Sequence, residues 1–309
     1  MQPEIAGKQD RRFEHVGVVR EAAEEIRRPS LTYLQDSWRR FRQSKAAVAG
    51  VVILLLFVLL AFLGPLLAPS DYDATDLGQS NQGMSWQHWF GTDELGRDLW
   101  ARVWIGGRVS ILIGILAAVL QASIGILVGS IAGLVGGRVD ALIMRVVEFL
   151  MAFPYLVWVT LLMMVTGSGI LPMVLALTLT GWLSMARLVR GQILSLKNED
   201  YVLAADSLGA DRRRVITKHM IPNMMGVIII NMTFAIPGAI FSEAFLSFIG
   251  IGIKSPQTSW GLLVSMGTKS VYTYPMRLLI PCICISLTML SLQLIGDGLR
   301  DALDPKLRH

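Results

Sequence analysis

The sequence predicts an all-α polytopic membrane protein of six transmembrane helices, with one long polar loop between the fourth and fifth. Three observations predict it. Of 309 residues, 53% are hydrophobic and 17% charged, against about 25% charged in soluble domains, and the mean hydropathy is +0.54. The apolar residues form long uncharged runs rather than periodic faces, most of them at or beyond the roughly 20 residues a helix needs to cross about 30 Å of hydrocarbon. Finally, 22 of the 28 Lys and Arg fall on one side of the alternating topology that these runs define.

Residues 1–30 are charge-rich without apolar periodicity and predict a mobile cytoplasmic tail. In 31–45 the pattern changes: Leu34, Trp38 and Phe41 recur at helical spacing among Arg39, Arg40, Arg42 and Lys45. That suits an amphipathic helix in the headgroup layer or one packed on a partner. The 25 uncharged residues of 46–70 make span one, too long and too far from the N-terminus for a signal-peptide core, ending among Pro65 to Pro69. Residues 71–108 form an external loop, and Val109 to Gly137, 29 uncharged residues, span two.

The 38 uncharged residues from Phe149 to Ala186 would, at 1.5 Å each, be about twice the bilayer core. Gly167-Ser168-Gly169 and Pro172 split them into spans three and four, with span three beginning before Glu148. Met220 to Ser242 supplies span five, running past Glu243 toward Ile249; the 19 residues from Leu278 to Gly296 supply span six. Residues 109–299 are thus the core of spans two to six, and 300–309 a cytoplasmic tail. Cys282 and Cys284 lie two apart in span six, where a helix points them to different sides, so they read as small packing hydrophobes, not as a disulfide or metal site.

With both termini inside, the cytoplasmic segments hold 22 Lys and Arg, and the external loops hold six: Arg97, Arg102, Arg108, Lys254, Lys269 and Arg277. The positive-inside rule produces this asymmetry. The net charge of +5 therefore calls for no nucleic-acid partner.

The loop 71–108 carries Trp86, His88, Trp89 and Phe90, then Gly91-Thr92-Asp93-Glu94-Leu95-Gly96-Arg97-Asp98. Its aromatics read as interfacial anchors or, because long loops between spans usually have a task, as contacts for an external partner. In the fourth-to-fifth loop, Tyr201, Ala204-Ala205 and Leu208 form an apolar stripe at spacings of three, four and seven. Gly209-Ala210 stops that helix, Arg212-Arg213-Arg214 follows, and Pro222 is placed to open span five. Such a bent unit lies on the bilayer or inserts into a groove on another protein.

Catalytic machinery is not legible. The chain has no phosphate loop of the form G-x-x-x-x-G-K-[ST], no H-E-x-x-H or paired metal spacing among His15, His88, His219 and His309, and no nucleophile elbow. No catalytic, cofactor-binding or metal-ligating residue is expected. Glu243 is a carboxylate within an apolar region, read as a functional group or as a structural one pairing with an interfacial Lys or Arg. Trp182, Asn231 and Gln293 lie within spans and read as lining a polar path or as interhelical glue. A secondary transporter would call for inverted halves with matching broken helices and ion-coordinating carboxylates; Glu243 is a lone candidate with no matching half.

Four stretches carry a resemblance. Tyr201-Val-Leu-Ala-Ala-Asp-Ser-Leu-Gly209 followed by His219-Met-Ile-Pro222-Asn223 resembles the cytoplasmic signature of ABC importer permeases, E-A-A-x3-G-x9-I-x-L-P, with Leu203, His219 and Ile221 departing from it. The stretches His88 to Leu99, Phe245 to Gly252 and Gly296 to Arg308 look like the peptide branch of that family. From about residue 35 onward the chain is similar to the C-type permease subunit of dipeptide and oligopeptide importers, most closely the oligopeptide one, with dipeptides, nickel complexes or cell-wall peptides as the alternative cargo of the same architecture.

The resemblance implies a type I ABC importer permease-like fold in a bacterial plasma membrane. It implies pairing with a homologous B-type permease, two ATPase subunits that bind ATP and Mg on the cytoplasmic side, and an external peptide-binding protein. It makes the loop 191–222 the coupling loop, with Tyr201, Ala204, Ala205, Leu208, Gly209, Ala210 and Pro222 at the ATPase seat. There, Ala-Ala would permit close approach and Gly209 would turn the chain where a Cβ interferes. Trp89, Asp93, Glu94 and Arg97 are the expected binding-protein contacts, and Trp182, Asn231, Glu243 and Gln293 the expected path.

Overall fold

The computed structural model describes residues 33–303; the expected tail 1–30 lies outside the described residues, and of the expected tail 300–309 the first four residues are the end of the last helix while 304–309 lie outside. Those described are all helix, turn and loop apart from one isolated bridge pairing Thr92 with Asp98. Five helices are long and apolar enough to cross a membrane, and the count is six when the bent pair Gly137–Ala152 and Tyr155–Thr166 is taken as one span.

Helix α1 (Tyr33–Gln43) buries Phe41 against Ala47 and Ala302 and leaves Trp38 exposed. Ser44 then caps α2 (Lys45–Leu63), its Oγ accepting the Ala47 N–H at 3.3 Å. The buried positions of α2 are Ala47, Gly50, Phe57 and Ala61; Val52, Leu55, Leu59 and Phe62 are bare, the surface lipid covers. Gly64 and Pro65 end it in a 3-10 turn, Gly64–Leu67.

Helix α3 (Leu99–Val135) starts ten residues before the expected Val109, so Arg102 and Arg108 are helical and the loop is shorter than 71–108. Asp98 sets that start: its Oδ1 accepts the Ala101 N–H at 2.8 Å. At 37 residues, α3 is about 55 Å long and forms the spine of the bundle. Its largest interface is with α6 (Ile170–Leu196). A Cβ on Gly125 would lie 2.5 Å from the Met185 Cβ, one on Gly129 2.5 Å from the Ala186 carbonyl, and one on Gly133 2.8 Å from the Ile193 side chain. Lipid offers helices no hydrophobic drive to associate, so close packing through small residues takes its place.

The third span is not one straight helix. Helix α4 (Gly137–Ala152) and α5 (Tyr155–Thr166) meet at 85°. Pro154 forces the bend: Phe153 before it is extended, at φ −89° and ψ 141°, because a following proline disfavours helical backbone. The expected turn between spans three and four is present, with Gly167 at φ 84° and Gly169 at φ 153°. Arg190 on α6 holds Asp140 on α4 through two guanidinium nitrogens, the second at 2.6 Å.

After α6 come α7 (Asp200–Ser207), α8 (Arg212–Val215) and a π turn, Ile216–Met220, leading into α9 (Ile221–Phe248). A connection, 249–259, joins α9 to α10 (Trp260–Lys269), a short helix without a span's length, and α11 (Met276–Leu303) ends the description. Cys282 and Cys284 on α11 are free thiols. The ends of α1, α3, α6 and α11 gather with α7 at one face of the bundle; the loop 68–98 and α10 sit at the other. Four buried clusters fill the bundle, the largest holding Ile113, Val159, Met173 and Leu246.

Candidate functional site

The loop expected to be the coupling segment grows from α6. Lys197 Nζ donates to the Gly133 and Leu134 carbonyls at 3.3 and 2.9 Å, pinning the end of α6 to the end of α3. The chain then turns into α7, whose Val202 is 3% exposed against Met220 and Met224. Ala205 and Ala210 pack on the same cluster, and the Ala210 N–H donates to the Ala205 carbonyl at 3.0 Å across Gly209. This is the helix stop in which a residue with positive φ turns the chain back. Gly209 has φ 76°, and a Cβ there would meet nothing within 4 Å. Within this chain glycine is required at 209 for backbone conformation.

The expected stripe divides. Ala205 and Ala210 face the bundle, whereas Tyr201, Ala204 and Leu208 face out; Leu208 is 87% exposed, and Leu203 beside them is bare too. Asn223 Nδ2 donates to the Tyr201 hydroxyl at 3.2 Å and to the His219 carbonyl at 2.6 Å, tying α7 to the start of α9, where Pro222 is exposed. Partial burial and the Glu199 charge push the Tyr201 phenol above its usual pKa, so it remains a neutral hydroxyl. The turn thus presents large uncovered apolar side chains beyond the bundle end, as sites that meet a protein partner or a membrane do.

At the opposite face, two of the four expected receptor contacts are not surface groups. Asp93 and Arg97 are each 4% exposed. Asp93 Oδ1 accepts the Leu95 and Arg97 N–H groups at 2.9 and 3.0 Å, and its Oδ2 accepts Arg97 Nε at 2.7 Å. Arg97 also reaches the Ser255 hydroxyl at 3.3 Å. Trp89 and Glu94 remain outward. His88 is buried with Nδ1 2.7 Å from Asp98 Oδ2 and Nε2 2.7 Å from Gln79 Oε1. The sequence motif that suggested a partner is largely the loop's own internal scaffold.

The four expected path residues are dispersed. Trp182 is half-buried on α6; Asn231 is exposed on α9, its amide donating back to the Val227 carbonyl at 2.8 Å; Gln293 is exposed on α11. Glu243 is fully buried, and its partners are Ser110 and Ser247, each at 2.8 Å, not the Lys or Arg of the structural alternative. Among the described hydrogen bonds none joins any two of these four. Sequence reasoning missed Ser110, Ser247, Ser259 and the anchoring role of Arg277. A lone serine in a span gives no signal, whereas an arginine at the mouth of span six is a visible one.

Residues 125–309 match the family of binding-protein-dependent transport system inner membrane components, and 32–83 match the N-terminal TM domain of oligopeptide transport permease C. The chain belongs to this family of transport permeases and is a multi-pass membrane protein. It is 48% identical over 288 residues to the dipeptide transport system permease protein DppC of Bacillus subtilis, covering 93% of this chain and 90% of that one. To the oligopeptide transport system permease protein OppC of the same organism it is 47% identical, covering 93% and 94%. To OppC of Escherichia coli strain K12 it is 45% identical, covering 88% and 91%. Among solved structures it shares its fold with a chain of the MetNI methionine ABC transporter in inward facing conformations, at 14% identity and TM-score 0.51, covering 66% of this chain and 94% of that one.

Proposed function

We propose that this chain is one of two homologous permease subunits of an ATP-driven importer, and that with a B-type partner it encloses the path for oligopeptides handed over by an external binding protein. The observation that carries the reading is the projection from Tyr201 to Ala210: a glycine-turned corner, fixed from behind by Val202, Ala205 and Ala210, with Leu203 and Leu208 uncovered in front. The chain has no phosphate loop of its own. Hydrolysis is therefore assigned to two ATPase subunits that bind ATP and Mg, and the corner to a cleft on one of them. Closure of the ATPases on nucleotide would push this corner and tilt α6 and α9, reversing the side to which the path opens.

The charge asymmetry supports an orientation with both termini cytoplasmic, and the family match with its bacterial relatives supports an inner-membrane location. In that orientation the loop 68–98 meets the binding protein, with Trp89 and Glu94 as its outward groups. Asn231 and Gln293, bare on this chain, are path candidates at the seam with the second permease, and Trp182 follows them.

Oligopeptide cargo is supported by the match over residues 32–83. A dipeptide reading stands beside it because a relative of that name is 48% identical. The test is uptake into vesicles by the complete complex. ATP-dependent accumulation of a labelled pentapeptide, competed weakly by dipeptides, is expected. Uptake by this chain without any ATPase subunit would refute the assignment, and exclusive dipeptide uptake would move it to the second cargo.

A further inference from the structure

Glu243 is the meeting point of two hydrogen-bond relays. The Trp260 N–H donates to Ser110 Oγ at 3.2 Å, and the Ser110 hydroxyl donates to Glu243 Oε2 at 2.8 Å. The Ile253 N–H donates to Ser247 Oγ at 3.1 Å, and the Ser247 hydroxyl donates to Glu243 Oε1 at 2.8 Å. The hydroxyl of Ser259 is a third partner of the same carboxyl group. Glu243, Ser110 and Ser259 are all 0% exposed and Ser247 1%.

The outer ends of both relays belong to one piece of chain. Ile253 and Trp260 flank the tip of the 249–259 connection between α9 and α10, so a single carboxylate holds that connection by both feet. Ser110 lies on α3 and Ser247 on α9, which makes the same group the tie between these helices. Sterics close the joint. A Cβ on Gly261 would come 2.5 Å from Ala244 Cα, and one on Gly107 2.7 Å from the Trp260 ring. Through Ser255 and Arg97 the connection also reaches the loop 68–98.

The location is mechanically specific. Helix α9 starts at Ile221, where the coupling segment ends, and Glu243 sits near its other end. Pro237 interrupts α9 between the two, removing one backbone hydrogen bond and providing a site of bending. A tie beyond the proline fixes what the far part of α9 moves with, namely α3 and the 249–259 connection.

We propose that Glu243 is a positioning residue of transport: it clamps the 249–259 connection to α3 and α9, so that displacement of the coupling segment reaches the binding-protein side of the permease. This rests on the reading of Tyr201 to Ala210 as the ATPase seat.

The test uses the complete complex in vesicles, with Glu243→Gln and Glu243→Leu. An amide can accept and donate, and serine hydroxyls can take either role, so Glu243→Gln is expected to keep uptake within about twofold of the parent. Glu243→Leu is expected to retain its ATPase subunits on purification while binding-protein-stimulated hydrolysis and uptake fall by about tenfold. A thiol introduced by Lys254→Cys reports on the connection: its labelling rate should change on ATP binding in the Gln variant and not in the Leu variant. Undiminished stimulated uptake by Glu243→Leu overturns the clamp. Should that variant fail to assemble, Ser247→Ala, which cuts one relay and leaves the carboxyl group, decides in the same assay: partial uncoupling supports the clamp and full coupling overturns it. Failure of the parent complex to hold ATPase subunits would instead overturn the seat itself.

Discussion

The guanidinium of Arg277 donates to the backbone carbonyl of Thr92 at 2.6 Å across 185 positions of sequence. Its other terminal nitrogen reaches Asn81 Oδ1 at 2.9 Å, and its plane lies over the Tyr274 ring at 4.1 Å. One side chain at the mouth of α11 therefore anchors the loop 68–98 at both Asn81 and Thr92.

Replacing Arg277 by Ala leaves the buried Thr92 carbonyl without its partner, a loss of about 1–3 kcal/mol. Faster protease cleavage or amide exchange within 76–97 is expected, with the spans unaffected. Arg277→Lys should restore little, because a single ammonium cannot span both acceptors and stack on Tyr274.

Gly209→Val places a β-branched residue at φ 76°, at a cost of about 1–2 kcal/mol. Hydrolysis and uptake measured on the same vesicles should separate: ATP is still consumed while accumulation falls. Gly209→Asn, which tolerates positive φ, should keep most uptake.

Leu208 is 87% exposed and contributes little to the fold. Leu208→Asp is therefore expected to leave thermal stability within about 0.5 kcal/mol and to reduce co-purification of the ATPase subunits. Retention of both would remove Leu208 from the contact.

Gly129→Val drives a side chain into the Ala186 carbonyl of the α3–α6 seam, where a Cβ already falls at 2.5 Å. Overpacking of this kind costs about 1–3 kcal/mol, read as a lower melting temperature in detergent. Gly191→Ala is the matched control: nothing lies within 4 Å of the added carbon, so it should be neutral or stabilising by up to about 1 kcal/mol.

Spans are legible because their solvent differs from water: an uncharged run such as 109–137 declares its environment whatever it packs against. The glycine turn at 167–169 and the stop at Gly209 were also readable, since positive φ has few residues to serve it. The bend at Pro154 was not, because a proline in an apolar run is compatible with a kinked but continuous helix. The loop misled for a different reason. Asp93 and Arg97 look like surface groups until Arg102, Ser255 and Arg277 close around the loop from other segments. Glu243 is the sharpest case, since the hydroxyl groups that satisfy it come from Ser110, 133 positions away, as well as from its own helix turn.

The α3–α6 seam leaves almost no slack, because backbone sits where side chains would ordinarily keep two helices apart. These two rods are consequently interchangeable between related permeases only as a matched set. A hybrid that borrows α3 alone would bring a foreign pattern of bumps against an unaltered Met185, Ala186 and Ile193, whereas one that borrows both would transplant its own fit.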